Sequence, residues 1–339
     1  GQARSTGTIF AIDFAPGPDM PDDIETIAPF VRASAGEGFK APNLADINQQ
    51  LSQSFETITD LTRCNAQGIA EADCPNSQVE EYTGGNPALV PEESESFNVG
   101  AVITPIDDLT FSLDYFNVEM DGRVEQTDLQ DLIDLEIDGQ LPSGVVINRG
   151  PTVGGVPGVV TNCAGGIRPP NCGIINIFGN ISSVEVEGID LRANYTFDIA
   201  DIGEFRTDLE YSYLLTWDEE TRPGAGVIDR PGTEGFPEGR ANLALGWSRD
   251  PFSVNLNIRW IDEHEGVTAG SKYDAYTTAD ITAIWQTPWD GELTFGIRNI
   301  TDEDPSVDNV SGWDEEVALL LYDVAGRVPF ITYKHAFDL

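Results

Sequence analysis

The chain has 339 residues, of which 58 are acidic and 18 are basic, so its formal net charge is −40 at pH 7. Nucleic acid is therefore an unsuitable partner, because phosphate binding depends on Lys and Arg, and an anionic lipid surface would repel the chain. No stretch reaches the roughly 18 consecutive apolar residues of a membrane helix, a criterion that does not detect barrel strands. The acidic charge suits either a solvated surface in high salt or the attraction of a cationic ligand.

Alternation of apolar and polar residues recurs along the whole chain. In the segment 190–197, Leu191, Ala193, Tyr195 and Phe197 share one face, and polar residues occupy the other. The sequence predicts about eleven strands of this kind, at roughly 6–14, 27–38, 94–104, 109–115, 190–197, 208–217, 240–249, 252–260, 275–287, 291–300 and 326–337.

The connections between these strands alternate in length. Short turns are predicted at 105–108, 199–203, 249–251 and 288–291, whereas long loops are predicted at 40–93, 121–183, 218–239, 263–274 and 301–325. Outer-membrane barrels have tight periplasmic turns and long extracellular loops, and a soluble sandwich has no reason to sort its loops by side. The sequence therefore predicts an all-β fold, an antiparallel transmembrane β-barrel.

The tryptophans agree with this orientation. Trp217 and Trp260 fall near the predicted outer ends of strands, and Trp247, Trp285 and Trp289 fall near the predicted inner turns. Amphipathic rings favour both membrane interfaces, where they form aromatic girdles. The alternative is that these rings terminate strands in a packed core.

The four cysteines form two local pairs within the long loops, Cys64 with Cys74 and Cys163 with Cys172. Close spacing in polar loops suits disulfides in an oxidising compartment, each worth roughly 2–3 kcal/mol through loop closure. Zinc is the alternative, but neither pair is CxxC and the chain has only two His.

One long loop contains a predicted helix. Thr127 is its expected cap, and apolar residues follow at near-helical spacing up to Leu135. We expect this helix to pack within the loop.

The loop at 301–325 is strongly acidic and has neither Lys nor Arg. We take Trp313, Asp314, Glu315 and Glu316 as its ligand-facing candidates, because a carboxylate cluster attracts cations and an indole stacks on sugars or aromatic groups. The alternative is a solvated acidic loop with an ordinary packed aromatic. The EF-hand spacing of a calcium site is missing, and so are the P-loop, GxSxG and HExxH motifs. The sequence therefore predicts no catalytic residue, no cofactor, no metal site and no enzyme.

Several short segments together resemble the TonB-dependent receptors of bacterial outer membranes. The segment 32–43 reads RASAGEGFKAPN, similar to the family's strand ending in a Gly-Phe-Arg-Ala-Pro-like turn, with Lys40 in place of Arg. The family's later strands and turns are resembled, in the same order, by the segments 91–100, 109–119, 186–191, 296–305 and 326–327.

The resemblance implies the C-terminal part of a receptor barrel over residues 1–339. Such receptors have 22 strands and a plugged lumen, so about eleven strands make an open half-barrel with two unpaired edges. The first seven residues have neither the basic start nor the apolar core of a signal peptide, so we expect either that a signal was removed or that the chain begins within a longer protein. The resemblance, together with the strand number, implies that the plug domain and the N-terminal strands lie outside this sequence.

The implied function is TonB-energised uptake of a scarce nutrient, either siderophore-bound iron, cobalamin or carbohydrate. The expected partners are a nutrient at the extracellular loops, outer-membrane lipid, and the TonB complex acting through the plug region. The expected location is the outer membrane of a Gram-negative bacterium. A passive porin or adhesin barrel and a secreted all-β carbohydrate-binding protein are the alternatives.

Overall fold

A computed structural model describes residues 3–13, 30–165, 167–222, 224–266, 270–307 and 321–335. In chain order its strands are β1 (Ala3–Asp13), β2 (Phe30–Lys40), β3 (Ser52–Thr59), β4 (Asn76–Gly84), β5 (Glu92–Ile106), β6 (Leu109–Glu125), β7 (Val146–Ile147), β8 (Ile174–Ile177), β9 (Gly179–Ile199), β10 (Gly203–Glu220), β11 (Ile228–Asp229), β12 (Gly239–Arg249), β13 (Phe252–Ile261), β14 (His264–Glu265), β15 (Lys272–Tyr273), β16 (Tyr276–Thr287), β17 (Gly291–Arg298) and β18 (Val328–His335). The helices are α1 (Leu44–Asn48), α2 (Leu61–Gln67) and α3 (Leu129–Asp138), with a 3₁₀ turn at Glu71–Asp73. No helix in these ranges is long and apolar enough to cross a membrane.

One large antiparallel sheet, called the wall here, organises the chain. Its strands follow the order β1-β2-β5-β6-β9-β10-β12-β13-β16-β17-β18, and β11 pairs beside β10. These eleven strands confirm the predicted number and the antiparallel all-β fold. Within the described strands no pairing joins β1 to β18, so the wall has two edges.

Four predicted short turns are confirmed at one end of the wall, between β5 and β6, β9 and β10, β12 and β13, and β16 and β17. Three of them contain an aspartate in the left-handed region, Asp108 (φ 60°), Asp201 (φ 64°) and Asp290 (φ 57°). Asp tolerates this conformation better than most residues because its short side chain bonds the local backbone. The long loops lie at the opposite, outer end.

The central strands are longer than predicted. Strands β5, β6, β9 and β10 have 15, 17, 21 and 18 residues. A tilted strand needs about 9–11 residues to cross a bilayer. Because these strands begin or end at tight inner turns, the excess extends the wall outward beyond the apolar zone.

The wall has an apolar and a polar face. Leu191, on the apolar face, pairs with Leu113 and Tyr211, whereas the adjacent Arg192, on the polar face, pairs with Ser112 and Glu210. The alternation predicted for the wall strands produces this division.

Trp217 does not lie on the apolar face, where an aromatic girdle would place it. The β9–β10 register shifts between Leu214 and Thr216, so that Tyr213 pairs with Ile189 but Trp217 pairs with Val186. A β-bulge inserts one extra residue and turns every later side chain to the opposite face. Trp217 therefore lies on the polar face.

Two long outer loops fold together into a small domain, called the loop domain here. It comprises loop 41–91 and loop 126–178, which contribute the strands of a second sheet, β3-β4-β8-β7. Helix α3 covers this sheet through Leu132 and Ile133, which are fully buried against Ile58 and Ile174. The predicted helix is thus confirmed as a packing element.

The cap of α3 differs from the prediction by one residue. Asp128 is the N-cap, and its side chain accepts a hydrogen bond from the Gln130 backbone N–H at 2.8 Å. Thr127 is instead buried, with its backbone carbonyl accepting from the Asn176 amide at 2.8 Å.

Candidate functional site

The outer loops carry the candidate site, and two disulfides hold the loop domain together. Cys64 bonds to Cys74, and Cys163 bonds to Cys172. Both predicted disulfides are therefore present, one in each of the two loops. Each joins residues close in sequence, so it fixes the conformation of its own loop and not the contact between loops.

Arg149, whose side chain is only 10% exposed, adds an ion cluster to the strand pairing and apolar packing that join the two loops. Its guanidinium donates to the carboxylate of Asp60 at 2.9 Å and to that of Glu136 at 2.6 Å. Burial alone would lower the pKa of Arg149, but its hydrogen bonds to Glu136 and Asp60 outweigh burial and raise it. The guanidinium therefore stays charged and links α3 to the start of α2.

A cleft of about 670 Å³ lies where the loop domain meets the outer ends of β9 and β10. Its walls include Leu135, Pro142 and Ile181, and Arg222 reaches into it from the loop after β10. The Nε of Arg222 is buried and has no hydrogen-bond partner.

A second cleft, of about 280 Å³, opens on the polar face between β13, β16, β17 and β18. Arg259 donates to Asp280 at 2.8 Å in this cleft, and Asp280 also accepts from the Asn299 backbone N–H at 2.8 Å. Arg298 lies over the Phe330 ring, 5.7 Å from its centroid. The cleft therefore presents cations already matched to a carboxylate or an aromatic ring.

Ion pairs of the same kind cover the polar face of the wall. Arg32 makes a two-point contact with Asp114 at 2.9 and 2.7 Å, and Lys40 binds Glu92 at 2.9 Å. A Cβ at Gly100, the cross-strand partner of Asp114, would overlap that carboxylate, so any larger residue here would displace Asp114 from Arg32. Further pairs on this face are Arg192 with Glu210, Arg206 with Asp208 and Lys334 with Glu292.

The apolar face ends, on its outward extension, in a row of carboxylates. Direct cross-strand pairing places side by side Glu37, Glu95, Glu119, Glu185, Asp218 and Asp229. Like charges directly opposite on neighbouring strands repel each other. This row therefore destabilises the outer wall unless salt screens it.

Neutralising the centre of this row should stabilise the wall. Glu119→Gln removes repulsion from Glu95 and Glu185, so we expect the free energy of unfolding to rise by roughly 0.2–1 kcal/mol, with a larger gain at low salt. The matched control is Glu292→Gln, which loses the contact to Lys334 and should not stabilise. Denaturant unfolding at two NaCl concentrations measures both variants, and a loss of stability in Glu119→Gln would contradict the prediction.

A buried aromatic cluster joins two other outer loops. His264 lies 5.1 Å from Tyr273 and 6.0 Å from Tyr322, measured between ring centroids. All three rings are less than 5% exposed, and neither the Nε2 of His264 nor the hydroxyl of Tyr322 has a hydrogen-bond partner. Burial raises the pKa of Tyr322 to about 12.

Packing of these loops should weaken in acid. Burial lowers the pKa of His264 below its ordinary value near 6.5, and Arg240 contributes in the same direction against the backbone contact from Asp262. The folded loops thus bind the proton less tightly than unfolded loops do. The stability due to neutral His264 is complete above about pH 6.5 and is lost as the pH falls below it.

Hydrogen exchange of residues 262–266 and 270–275, corrected for intrinsic rates, should show lower protection at pH 5 than at pH 7.5. His264→Phe should remove this difference, whereas His335→Gln, on β18, should retain it. Equal protection at both pH values in the wild type would refute the role of His264.

The predicted ligand-facing residues Trp313, Asp314, Glu315 and Glu316 lie outside the described residues. Within the part of the chain that the structure describes, no group of three or more His, Cys, Asp or Glu residues is arranged to hold a metal ion. Sequence reasoning missed Arg149, Arg222 and His264, since isolated residues brought together by tertiary contacts leave no local pattern.

A two-faced antiparallel wall with tight turns at one end and long, folded loops at the other is typical of the barrels of bacterial outer membranes. The family described as "TonB dependent receptor-like, beta-barrel" matches residues 14–300. The chain therefore belongs to the TonB-dependent receptor β-barrel family, as its motifs indicated.

Solved structures agree on the fold. A variant of the ferric enterobactin receptor of Pseudomonas aeruginosa, in complex with enterobactin, is 19% identical over 96% of this chain, with a TM-score of 0.58. The siderophore receptor PirA of Acinetobacter baumannii is 16% identical over 91% of this chain, with a TM-score of 0.56. The chain covers only 40% and 39% of those two structures. None of the curated proteins compared with the chain matches it significantly.

Proposed function

We propose that the protein containing this chain is a bacterial outer-membrane receptor for TonB-energised uptake of a scarce nutrient. The observation that carries this proposal is the sided wall, with its apolar face, its ion-paired polar face and its folded outer loops. An apolar face suits lipid, and a polar face suits a water-filled or protein-filled interior. TonB-dependent receptors are transporters and not enzymes, and we assign this chain no catalytic role.

We divide the functions of the receptor between this chain and the rest of the protein. The chain supplies barrel wall and ligand-facing loops, whereas the plug domain and the contact with the TonB complex belong to sequence outside it. Siderophore-bound iron, cobalamin and carbohydrate are the candidate nutrients. The similar fold of the enterobactin and siderophore receptors supports iron chelates as one of these candidates.

The test is growth of a deletion strain of the intact gene on limiting iron, cobalamin or oligosaccharides, in cells with and without TonB. We expect one nutrient to restore growth only when both the receptor gene and TonB are present. Growth that needs the gene but not TonB would favour a passive porin. Extraction of the protein without detergent would exclude both membrane functions.

A further inference from the structure

We propose that the cleft beside Arg222 binds a neutral ligand rich in hydrogen-bond acceptors, of which a small saccharide is the model. This inference rests on the proposed uptake function and assigns a substrate class to one of its outer-loop sites. The cleft volume of about 670 Å³ lies within the 300–1,000 Å³ of typical small-molecule sites.

The floor of the cleft is fixed before any ligand arrives. The side chain of Asn180 accepts from the Val90 N–H at 3.0 Å and donates to the Gly122 carbonyl at 2.7 Å. The side chain of Asn86 donates to the Phe178 carbonyl at 2.8 Å. These bonds tie three segments together, so a ligand need not order them.

Three polar side chains of the cleft remain available. The Nε–H of Arg222 is buried without an acceptor, an arrangement that costs free energy until an oxygen atom occupies the space before it. Gln140 and Ser143, exposed at the rim, make no side-chain hydrogen bond to any described residue. Together these groups offer donors and acceptors to a polyhydroxylated molecule.

The charge around Arg222 favours a neutral ligand over an anion. The Oδ2 of Asp131 already lies 3.7 Å from the Arg222 Nε, too far for a hydrogen bond but close enough for an ion pair. Burial and the charge of Asp131 raise the pKa of the nearby Asp134, while Arg222 opposes them. The guanidinium charge is therefore compensated, and what its Nε lacks is an acceptor. Asp131 and Asp134 do not line the cleft, but their charges lie close to Arg222 and disfavour an added anion. An added cation would meet the guanidinium itself.

The apolar part of the lining completes the match. Leu135, Pro142 and Ile181 form surfaces on which the C–H faces of a sugar ring can pack, while its hydroxyls reach the rim. Ligand sites commonly combine a mainly apolar lining with a few converging polar groups.

The experiment uses the full-length receptor in detergent and isothermal titration calorimetry. The neutral probes are maltose, sucrose and raffinose, and the charged probes are sodium benzoate and choline chloride. We expect saturable binding of at least one saccharide and of neither charged probe. Arg222→Met should weaken binding at least about tenfold, which equals about 1.4 kcal/mol. Arg222→Lys should also weaken it, because it keeps the charge but removes the Nε–H.

Ser143→Trp provides a second variant that fills the cleft mouth from an exposed position and should abolish binding without affecting folding. Arg168→Met, an exposed arginine elsewhere in the loop domain, is the matched control and should bind as the wild type does. An unchanged thermal unfolding midpoint shows that each variant is folded.

Three results would overturn the inference: a folded receptor that binds none of the saccharides, binding unaffected by Arg222→Met, or tighter binding of benzoate that depends on Arg222. TonB-dependent growth on another nutrient would then leave the proposed function standing. Saccharide binding by a receptor whose gene supports growth equally with and without TonB would instead support the cleft and refute the uptake function.

Discussion

Arg149→Met is expected to destabilise the loop domain by about 3–5 kcal/mol, the cost of removing one partner from a buried ion cluster. The carboxylates of Asp60 and Glu136 are only 9% and 18% exposed, and both would lose their main cation. The packing of the two outer loops against each other should weaken while the wall stays intact. Hydrogen exchange should show lost protection in residues 52–84 and 129–177 and unchanged protection in β12 and β13.

The control is Arg206→Met on the polar face of the wall. Arg206 binds Asp208 at 2.7 Å, but its side chain is 66% exposed, so solvent already screens the pair and the loss should stay below about 1 kcal/mol. Combining Arg149→Met with Asp60→Asn and Glu136→Gln should restore most of the protection, because neutral side chains no longer demand a cation. A loop domain equally protected in Arg149→Met and wild type would show that the cluster does not join the loops.

The wall could be predicted from the sequence because its information is local. A period-two alternation such as that of Leu191, Ala193, Tyr195 and Phe197 reports both the strand and its faces. The turns were equally readable, since polar and Pro-containing segments recur at one end of successive strands. Eleven strands therefore emerged at nearly their observed positions.

The outward extension of the wall was harder to predict. Beyond the apolar zone, residues such as Glu185 and Glu187 replace the apolar members of the alternation, so the prediction for β9 covered only 190–197 of its 21 residues. The face on which Trp217 lies was hard to predict for a different reason. Its strand contains an extra residue beside Leu214, and a bulge changes the facing of later side chains without changing the local residue pattern.

The candidate site depended most on contacts between distant residues. Arg149 and Asp60 are 89 positions apart, and no sequence pattern near either residue indicates that they form an ion pair. The disulfides were predictable because each closes a loop within about ten residues. The role of Arg222 was not predictable, because its Nε is left without a hydrogen-bond partner only once three loops pack together.

Ile281→Arg should destabilise the receptor in a bilayer by about 2–4 kcal/mol, if the apolar face of the wall contacts lipid as proposed. Ile281 lies near the middle of β16, and its cross-strand partners are Leu256 and Ile297 on the same face. A guanidinium at the bilayer midplane loses its hydration without gaining a partner, and lipid-facing Arg costs this amount in barrels. The measurement is the denaturant midpoint in lipid vesicles, together with the amount of assembled receptor in outer membranes.

The matched control is the adjacent Thr282→Arg, which points to the polar face. Thr282 pairs with the polar Asn255 and with Gly296, over which the Phe330 ring lies. We expect little loss of stability, because this face already accommodates Arg259 one strand away. The comparison also separates a membrane protein from a soluble one. A soluble protein that packs its apolar face internally would be destabilised by Ile281→Arg in detergent-free buffer as well. Equal losses for both variants in bilayers would mean that the two faces do not meet different solvents, and the proposed orientation of the wall would be wrong.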